Sequence, residues 1–538
     1  MKKIITILLA ALLAAGTVGF SACRKTVGEE EISEGNGENG KLEIVCQEAG
    51  FGLDWLKSIG RGFSKKYNVD VVVTSSTNSS EIISNADARQ SEYDIIMTVG
   101  SHYKLADGGD LADISDVYAA TPDGESEPVA KKMNRNIYQR IQREDGKFYS
   151  MNWVNSLDGI FYNKTTLDTL FGKEGWALPN TTDDLLALCD RIKNEKSDRA
   201  YAFSSSTGVP YWDYSLYAWA AQYSGVDTYF DYYDIKYTDG SGNKQTATSY
   251  NQLAASYAGR EKALHVIETI AKKSNGYMHT LADSMNYLQA QDAFAGAGFR
   301  GDNKLCAFIV SGDWMENELS DTLARNPQEI GMLRTPILSE ITETFAAPDN
   351  TMSDKALSLI VSEVDKNSTL EQVNAALAAS DDAKVNIDSI GKATYDRIVE
   401  ARRVVYTATM DHMMSIPVTA KNMDNAKKFL IYFASDEAGQ IYAEEMNGRT
   451  FIYGYEPELT DETSFFTRSV REYGDYIPVY TDYSSPYVYN GNLRFLAVND
   501  RYLKFFNGTD DAAGVEEDIA DFWTRNWQTV ANGGLTLG

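Results

Sequence analysis

A mixed α/β fold is predicted by three features of the 538-residue sequence. Apolar strands and helix-spaced apolar residues alternate over residues 42–99, amphipathic helical stripes recur toward the C-terminus, and the composition, 43% hydrophobic with only 11 Pro, is that of a folded chain. At roughly 100 to 200 residues per domain, the length allows three or four units of core-forming size.

The first forty residues concern targeting. Lys2 and Lys3 precede an apolar run, Ile4 to Val18, too short to span a bilayer and the right length for the core of a secretory signal. It closes on Phe20-Ser21-Ala22-Cys23, which resembles the bacterial lipobox, with Phe20 where that motif usually has Leu. The resemblance implies lipidation at Cys23 and stable membrane anchoring through its acyl chains. Cleavage removes Lys2 and Lys3 and no acidic residue, so the exported part is more acidic than the whole chain. Residues 23–40 carry Glu29, Glu30 and Glu31 among Gly35, Gly37 and Gly40, and are expected to be a flexible tether.

Leu42 to Cys46 is a short strand, Trp55, Ile59, Phe63 and Tyr67 recur at helical spacing, Val69 to Val73 is β-branched, and Asp94 to Val99 is a third strand. This β-α-β-α-β series implies a parallel sheet covered by helices, with ligands bound beyond the carboxyl ends of its strands. Thr181 caps a helix whose core face is Leu185, Cys189 and Ile192, and Leu305 to Val310 is a later buried strand. Residues 354–405 read as helical. Ala426, Phe429, Leu430 and Phe433 form one stripe, Ser435 caps the next helix, and Val515, Ile519, Phe522 and Trp523 face inward on the last.

Composition excludes some functions. Asp plus Glu total 77 against 50 Lys plus Arg, a formal charge of −27, so nucleic acid is not an expected partner. The four histidines, His102, His265, His279 and His412, show no metal-ligand spacing, and no metal or cofactor is expected. Two matches to the glycine-rich dinucleotide pattern, 35–40 and 296–301, lack the strand-turn-helix context it needs. No nucleophile elbow is present, so no catalytic residue is assigned. Cys46, Cys189 and Cys306 lie in apolar patterns and read as buried thiols, with one disulfide left open.

Five motifs stand in order along the chain: Tyr93-Asp94-Ile95-Ile96 with Leu105, Gly109 and Leu111; Gly146-Lys147-Phe148-Tyr149 with Gly159 to Lys164; Pro179-Thr181-Asp183-Leu185; Phe294, Gly298, Ala307, Gly312 and Trp314; and Ala426 to Leu430 with Ser435 and Gln440. In this order they resemble the bacterial extracellular solute-binding proteins of ABC importers, in particular the sugar-binding group that includes maltose-binding protein. The resemblance implies a two-lobe periplasmic-binding-protein type II fold with a hinge and an inter-lobe cleft. Its expected limits are a signal peptide at 1–22, the tether at 23–40, an N-lobe at 41–152, a C-lobe at 153–335, a return to the N-lobe with a helical insertion at 336–411, and a mainly C-lobe segment at 412–538. Crossings are expected near Trp153, Pro336 and Ile416-Pro417.

The implied function is a lipid-anchored protein on the outer face of the cytoplasmic membrane that captures a sugar or oligosaccharide and delivers it to permease subunits. A secreted carbohydrate-active enzyme, or a binding protein for a peptide or polyamine, is the alternative. Thirteen of the 37 residues from Tyr201 to Tyr237 are aromatic, and five Tyr lie in 476–489, rings that suit the apolar faces of sugars. The candidate ligand residues are Trp314, Trp153, Asn152, Trp212, Tyr211, Asp313, Trp219, Asn78, Ser101, Tyr453 and Arg449. Most aromatics are expected to be core, a minority cleft.

Overall fold

The computed structural model describes residues 28–461 and 463–532. The signal peptide and the Cys23 lipidation site lie outside the described residues. The strands are β1 (Gly28–Glu31), β2 (Lys41–Gln47), β3 (Asp70–Ser76), β4 (Ile95–Val99), β5 (Met151–Asn152), β6 (Asp158–Asn163), β7 (Ala200–Phe203), β8 (Lys236–Thr238), β9 (Lys244–Thr246), β10 (Leu305–Gly312), β11 (Ile330–Met332), β12 (Val404–Tyr406), β13 (His412–Ser415) and β14 (Ile477–Val479).

Two sheets organise the molecule. The first runs β1-β3-β2-β4-β13-β5, with β2 parallel to β3 and β4 and with β13 antiparallel to β4 and β5. The second runs β14-β12-β6-β10-β7, with β11 beside β6. The helix Asp54–Tyr67 buries Trp55, Leu56, Ile59 and Phe63, and Asn68 ends it in the left-handed conformation. Thr181 caps the helix Thr182–Lys196 by accepting from Asp184 N at 3.1 Å, and Ser435 caps Asp436–Glu445 from Ala438 N at 3.2 Å. On the last helix, Ala512–Ala531, Val515, Ile519 and Trp523 are buried, whereas Phe522 is 40% exposed and not inward.

Residues 28–40 do not form the expected tether. β1 pairs antiparallel with β3, Ile32 is buried, and Ser64 Oγ accepts from Glu34 N and Gly35 N at 3.0 and 2.9 Å. A Cβ on Gly35 would lie 2.6 Å from Ser64 O, so this glycine serves close packing. One buried isoleucine and a run of main-chain bonds suffice to dock a segment whose side chains are mostly polar.

The crossings also differ from expectation. The chain leaves the first sheet after Asn152 and enters the second at Asp158. It returns not near Pro336 but between Tyr406 and His412. The third passage is not at Ile416-Pro417, since the helices Met423–Phe433 and Asp436–Glu445 still pack on the Asp54–Tyr67 helix of the N-lobe; it follows Glu445 and ends at the helix Phe465–Arg471 against β11. Residues 412–445 are therefore N-lobe, correcting the mainly C-lobe expectation for 412–538.

The insertion belongs with the C-lobe rather than with a return to the N-lobe. Its helices Asp354–Asp365, Leu370–Ala378 and Lys392–Arg403 enclose a separate small core of Leu357, Ile360, Val373 and Ile398. Asn180 Nδ2 donates to Ser358 O at 3.1 Å and Gln222 Nε2 to Ala401 O at 3.1 Å, tying it to the loop before the helix Thr182–Lys196 and to the helix Trp212–Ser224 of the C-lobe. No helix among the described residues is long and apolar enough to cross a membrane.

Candidate functional site

The lobes meet where the carboxyl ends of their strands face each other. From the N-lobe, the loop after β2 places Gly50 and Phe51 against the C-lobe. Phe51 lies edge-on to Trp314 with centroids 5.9 Å apart, and Asn317 Nδ2 donates to Gly50 O at 2.7 Å. Trp314 lies two residues beyond the end of β10 and is only 9% exposed. Its ring lies 6.1 Å from Tyr211 and 6.2 Å from Tyr214, which stack on each other at 5.5 Å. Tyr214 in turn stacks on Tyr406 at 4.9 Å. The result is a continuous aromatic row, Phe51, Trp314, Tyr211, Tyr214 and Tyr406, that starts in one lobe and ends in the other.

Polar groups border this row. Asp411, on the second crossing, carries an Oδ1 that is buried without a hydrogen-bond partner. That oxygen lies 2.8 Å from His412 Nδ1, which instead bonds Ala408 O at 2.7 Å. The negative charge of Asp411 reaches the phenols of Tyr214, Tyr406 and Tyr483; burial is the main cause that raises all three, and this charge adds to it.

Beneath the row, Ser156 Oγ lies 2.6 Å from Asp158 Oδ1 and 3.3 Å from Asp313 Oδ1. Asp158 Oδ2 accepts from Ala408 N at 2.7 Å, so the first and second crossings are pinned together. Burial raises the carboxyl of Asp158 well above the usual carboxylate range, and the neighbouring Asp313 charge adds to it. Burial also raises Asp313, opposed by the Arg449 guanidinium. Arg449, on the third crossing, donates through Nη2 to Asp313 O and lies 3.6 Å through Nη1 from Asp313 Oδ1.

Of the sequence candidates, Trp314, Tyr211, Asp313 and Arg449 come together at this junction. The other candidates are engaged outside the row itself, although Trp153 lies edge-on to Phe51 with centroids 6.2 Å apart. Trp153 is core: it stacks on Trp55 at 5.8 Å and donates Nε1 to Thr98 O at 3.3 Å. Asn152 is buried, with Nδ2 donating to Thr409 O at 2.7 Å, and its carbonyl accepts from Tyr453 OH at 2.8 Å, which places Tyr453 in the core as well. Trp212 packs against Phe203 at 5.2 Å, and Trp219 donates to Pro336 O at 2.9 Å, both inside the C-lobe. Asn78 caps the helix Ser79–Asp87 by accepting from Glu81 N, and Ser101 Oγ accepts from Tyr103 N at 3.3 Å.

Sequence reasoning missed Phe51, Tyr214, Tyr406 and Asp411. Phe51 stands at a strand end between two glycines, a signal that could have singled it out; Asp411 sits in an aperiodic stretch that offers none.

Cys46, Cys189 and Cys306 are free and buried, which answers the open disulfide question, and burial raises each thiol, Cys306 to about 12. His102 is enclosed by Thr98 and Ser415 at 2.8 Å each, and burial lowers it to about 3, a neutral core histidine. Among the described residues no group of His, Cys, Asp and Glu could hold a metal ion.

Comparison with known proteins bears on this junction. The sequence profile of the family described as "Bacterial extracellular solute-binding protein" matches residues 52–356. No curated protein sequence matches the chain. Among solved structures, the apo form of RafE from Streptococcus pneumoniae is similar at 16% identity, covering 90% of this chain and 97% of that one, with a TM-score of 0.54. The GacH receptor of Streptomyces glaucescens GLA.O, solved unliganded and with acarbose, is similar at 16% identity over 91% of this chain and 98% of that one, TM-score 0.53. RafE in complex with raffinose matches at 17% identity, 90% and 99% coverage and TM-score 0.54. At these identities the likeness is one of fold.

Proposed function

The chain belongs to the bacterial extracellular solute-binding proteins, and from that premise we propose that it captures a sugar or oligosaccharide between its two lobes and delivers it to the permease of an ABC importer. The observation that carries this reading is the inter-lobe row of Phe51, Trp314, Tyr211, Tyr214 and Tyr406 beside the unpartnered Asp411 Oδ1. A sugar ring has an apolar C–H face, which stacks on flat side chains, and a rim of hydroxyls, one of which donates to such a carboxylate. Raffinose and acarbose, ligands of two proteins similar in fold, are of this chemistry.

The two lobes close over the ligand by movement at the three crossings, and the closed form is the one the permease accepts. Cys23 is the lipid attachment site, which holds the protein on the outer face of the cytoplasmic membrane. The protein performs no covalent step on its ligand.

Titration of intrinsic Trp fluorescence with a panel of oligosaccharides including raffinose tests the reading, and a saturable change is expected for at least one sugar. Silence across the panel together with a response to peptides or polyamines removes the sugar assignment, and release of reducing sugar by the purified protein would make it an enzyme.

A further inference from the structure

We propose that Glu318 is a specificity-determining residue of the cleft: held by Gln291 as an ionised acceptor at the outer end of the aromatic row, it selects ligands long enough to pass Tyr211. The proposal rests on the reading that the row is the sugar site.

The aromatic surface does not stop at Tyr211. Tyr287, the first residue of the helix Tyr287–Phe294, is half-buried and lies edge-on to Tyr211 with centroids 6.2 Å apart. Glu318 closes the short helix Met315–Glu318, which begins just after Trp314, and stands beside these two rings. Burial raises the phenols of Tyr211 and Tyr287, and the Glu318 charge adds to it in both. From the N-lobe, Gly50 approaches so closely that a Cβ there would lie 3.0 Å from Glu318 Oε1. The carboxylate therefore borders both lobes, as a cleft ligand would.

Gln291 fixes this carboxylate. It is 1% exposed, and its Nε2 donates to Glu318 Oε2 at 2.7 Å while its own Oε1 is buried without a partner. An unsatisfied buried carbonyl is costly, yet turning the amide over would set that carbonyl against the carboxylate, so the N–H stays on Glu318. Burial raises the Glu318 carboxyl, and the Gln291 bond opposes the rise by favouring the ionised form. Oε1 is left for a ligand: among the described residues no group donates to it, and no Lys, Arg or His pairs with Glu318.

Asp411 and Glu318 serve opposite ends of the aromatic surface. Asp411 lies by Tyr214 and Tyr406, Glu318 by Tyr211 and Tyr287, and ring steps of 4.9, 5.5 and 6.2 Å lead from Tyr406 through Tyr214 and Tyr211 to Tyr287. A single sugar ring stacks on one aromatic face and reaches one of the two carboxylates; a ligand of two or more rings donates hydroxyls to both. The cavity beneath Tyr211 and Tyr287, bordered by Gln291 and Ser311, is too small for a sugar ring, so the second ring lies over these side chains and not behind them.

The test compares ligand lengths. Full-length protein is titrated by intrinsic fluorescence with raffinose, melibiose, maltotriose and maltose, and with galactose and glucose. The wild type is expected to bind at least one oligosaccharide about tenfold or more tightly than either monosaccharide, and Glu318→Gln, which keeps the shape and removes the charge, to reduce that ratio by about tenfold. Tyr287→Ala, which removes the platform and not the acceptor, is expected to reduce the same ratio and serves if Glu318→Gln lowers the melting temperature. Equal affinity of the wild type for long and short sugars overturns the proposal and leaves the cleft reading standing, as does a Glu318→Gln protein that weakens all sugars alike or keeps the ratio. A protein silent to all six sugars overturns both.

Discussion

Two aromatic clusters of nearly the same composition do different things. In the C-lobe interior, Tyr229, Tyr232, Tyr233 and Tyr250 gather around Phe495 and Arg260, and their hydroxyls are engaged: Tyr232 donates to Arg494 O at 2.9 Å, Tyr229 pairs with Tyr233 at 3.0 Å, and Tyr250 accepts from Arg260 Nη2 at 2.8 Å. At the lobe junction, Tyr211 and Tyr214 are only half-buried, Trp314 keeps a small exposed face, and the adjacent Asp411 Oδ1 is unpartnered. The difference lies in place and in hydrogen-bond state, not in residue type. A ring at a strand's carboxyl end, facing the opposite lobe, is free to meet a ligand; a ring whose hydroxyl is already engaged inside a lobe fixes packing.

Substitutions separate the clusters, and the largest effect is expected in the interior. Trp219→Ala should destabilise the fold by about 3–5 kcal/mol, since it empties a fully buried indole and strands Pro336 O. Chemical denaturation measures this, and the surviving folded fraction should bind with nearly unchanged affinity. Trp314→Ala should do the reverse, costing about 2–3 kcal/mol of binding, roughly 30- to 150-fold in Kd by calorimetry, with a smaller change in stability. An equal loss of stability would place Trp314 among the packing rings.

Asp411→Asn should weaken binding by about 1.5–3 kcal/mol, as expected for one hydrogen bond to a charged acceptor, without lowering the melting temperature. Gly50→Val tests the junction from the N-lobe side. A Cβ there would lie 2.4 Å from Trp314 Cδ1, so the lobes should settle further apart, read as a larger radius of gyration in small-angle scattering and a roughly tenfold loss of affinity.

The smallest effect belongs to the insertion. Burial raises Asp354 to about 6, so the folded state holds this proton more tightly than the unfolded chain does. Its favourable contribution is complete below the ordinary carboxylate pKa and is lost as pH rises through about 6. Because the group is partly exposed, the difference between the wild type and Asp354→Asn should be below about 1 kcal/mol at neutral pH, with no effect on sugar affinity.

Much of the fold was legible because it rests on local patterns. The run Leu42 to Cys46, the helical spacing from Trp55 to Phe63, and the caps Thr181 and Ser435 each specify an element within a few residues. What the sequence could not convey was which lobe each element joins. β12 and β13 are separated by five residues yet lie in different sheets, and nothing in their composition marks the passage. The N-terminal segment differs from its expectation for a related reason: a strand docked by main-chain bonds needs little apolar content, so Gly28–Glu31 has the composition of a linker.

The site was legible in part. Trp314 stands out because it follows a strong strand and a glycine, whereas Trp153 has the same residue type at a similar strand end but is covered by Trp55 from a helix distant in sequence. Three-dimensional cover, which no local pattern reports, divides the two.

The crystal structure of the protein with its tightest-binding oligosaccharide tests the central claim most directly. A sugar ring on the Phe51, Trp314 and Tyr211 row, with a hydroxyl donating to Asp411 Oδ1, is the predicted result. A sugar bound away from that row, with Trp314 still packed as it is without ligand, would contradict the account.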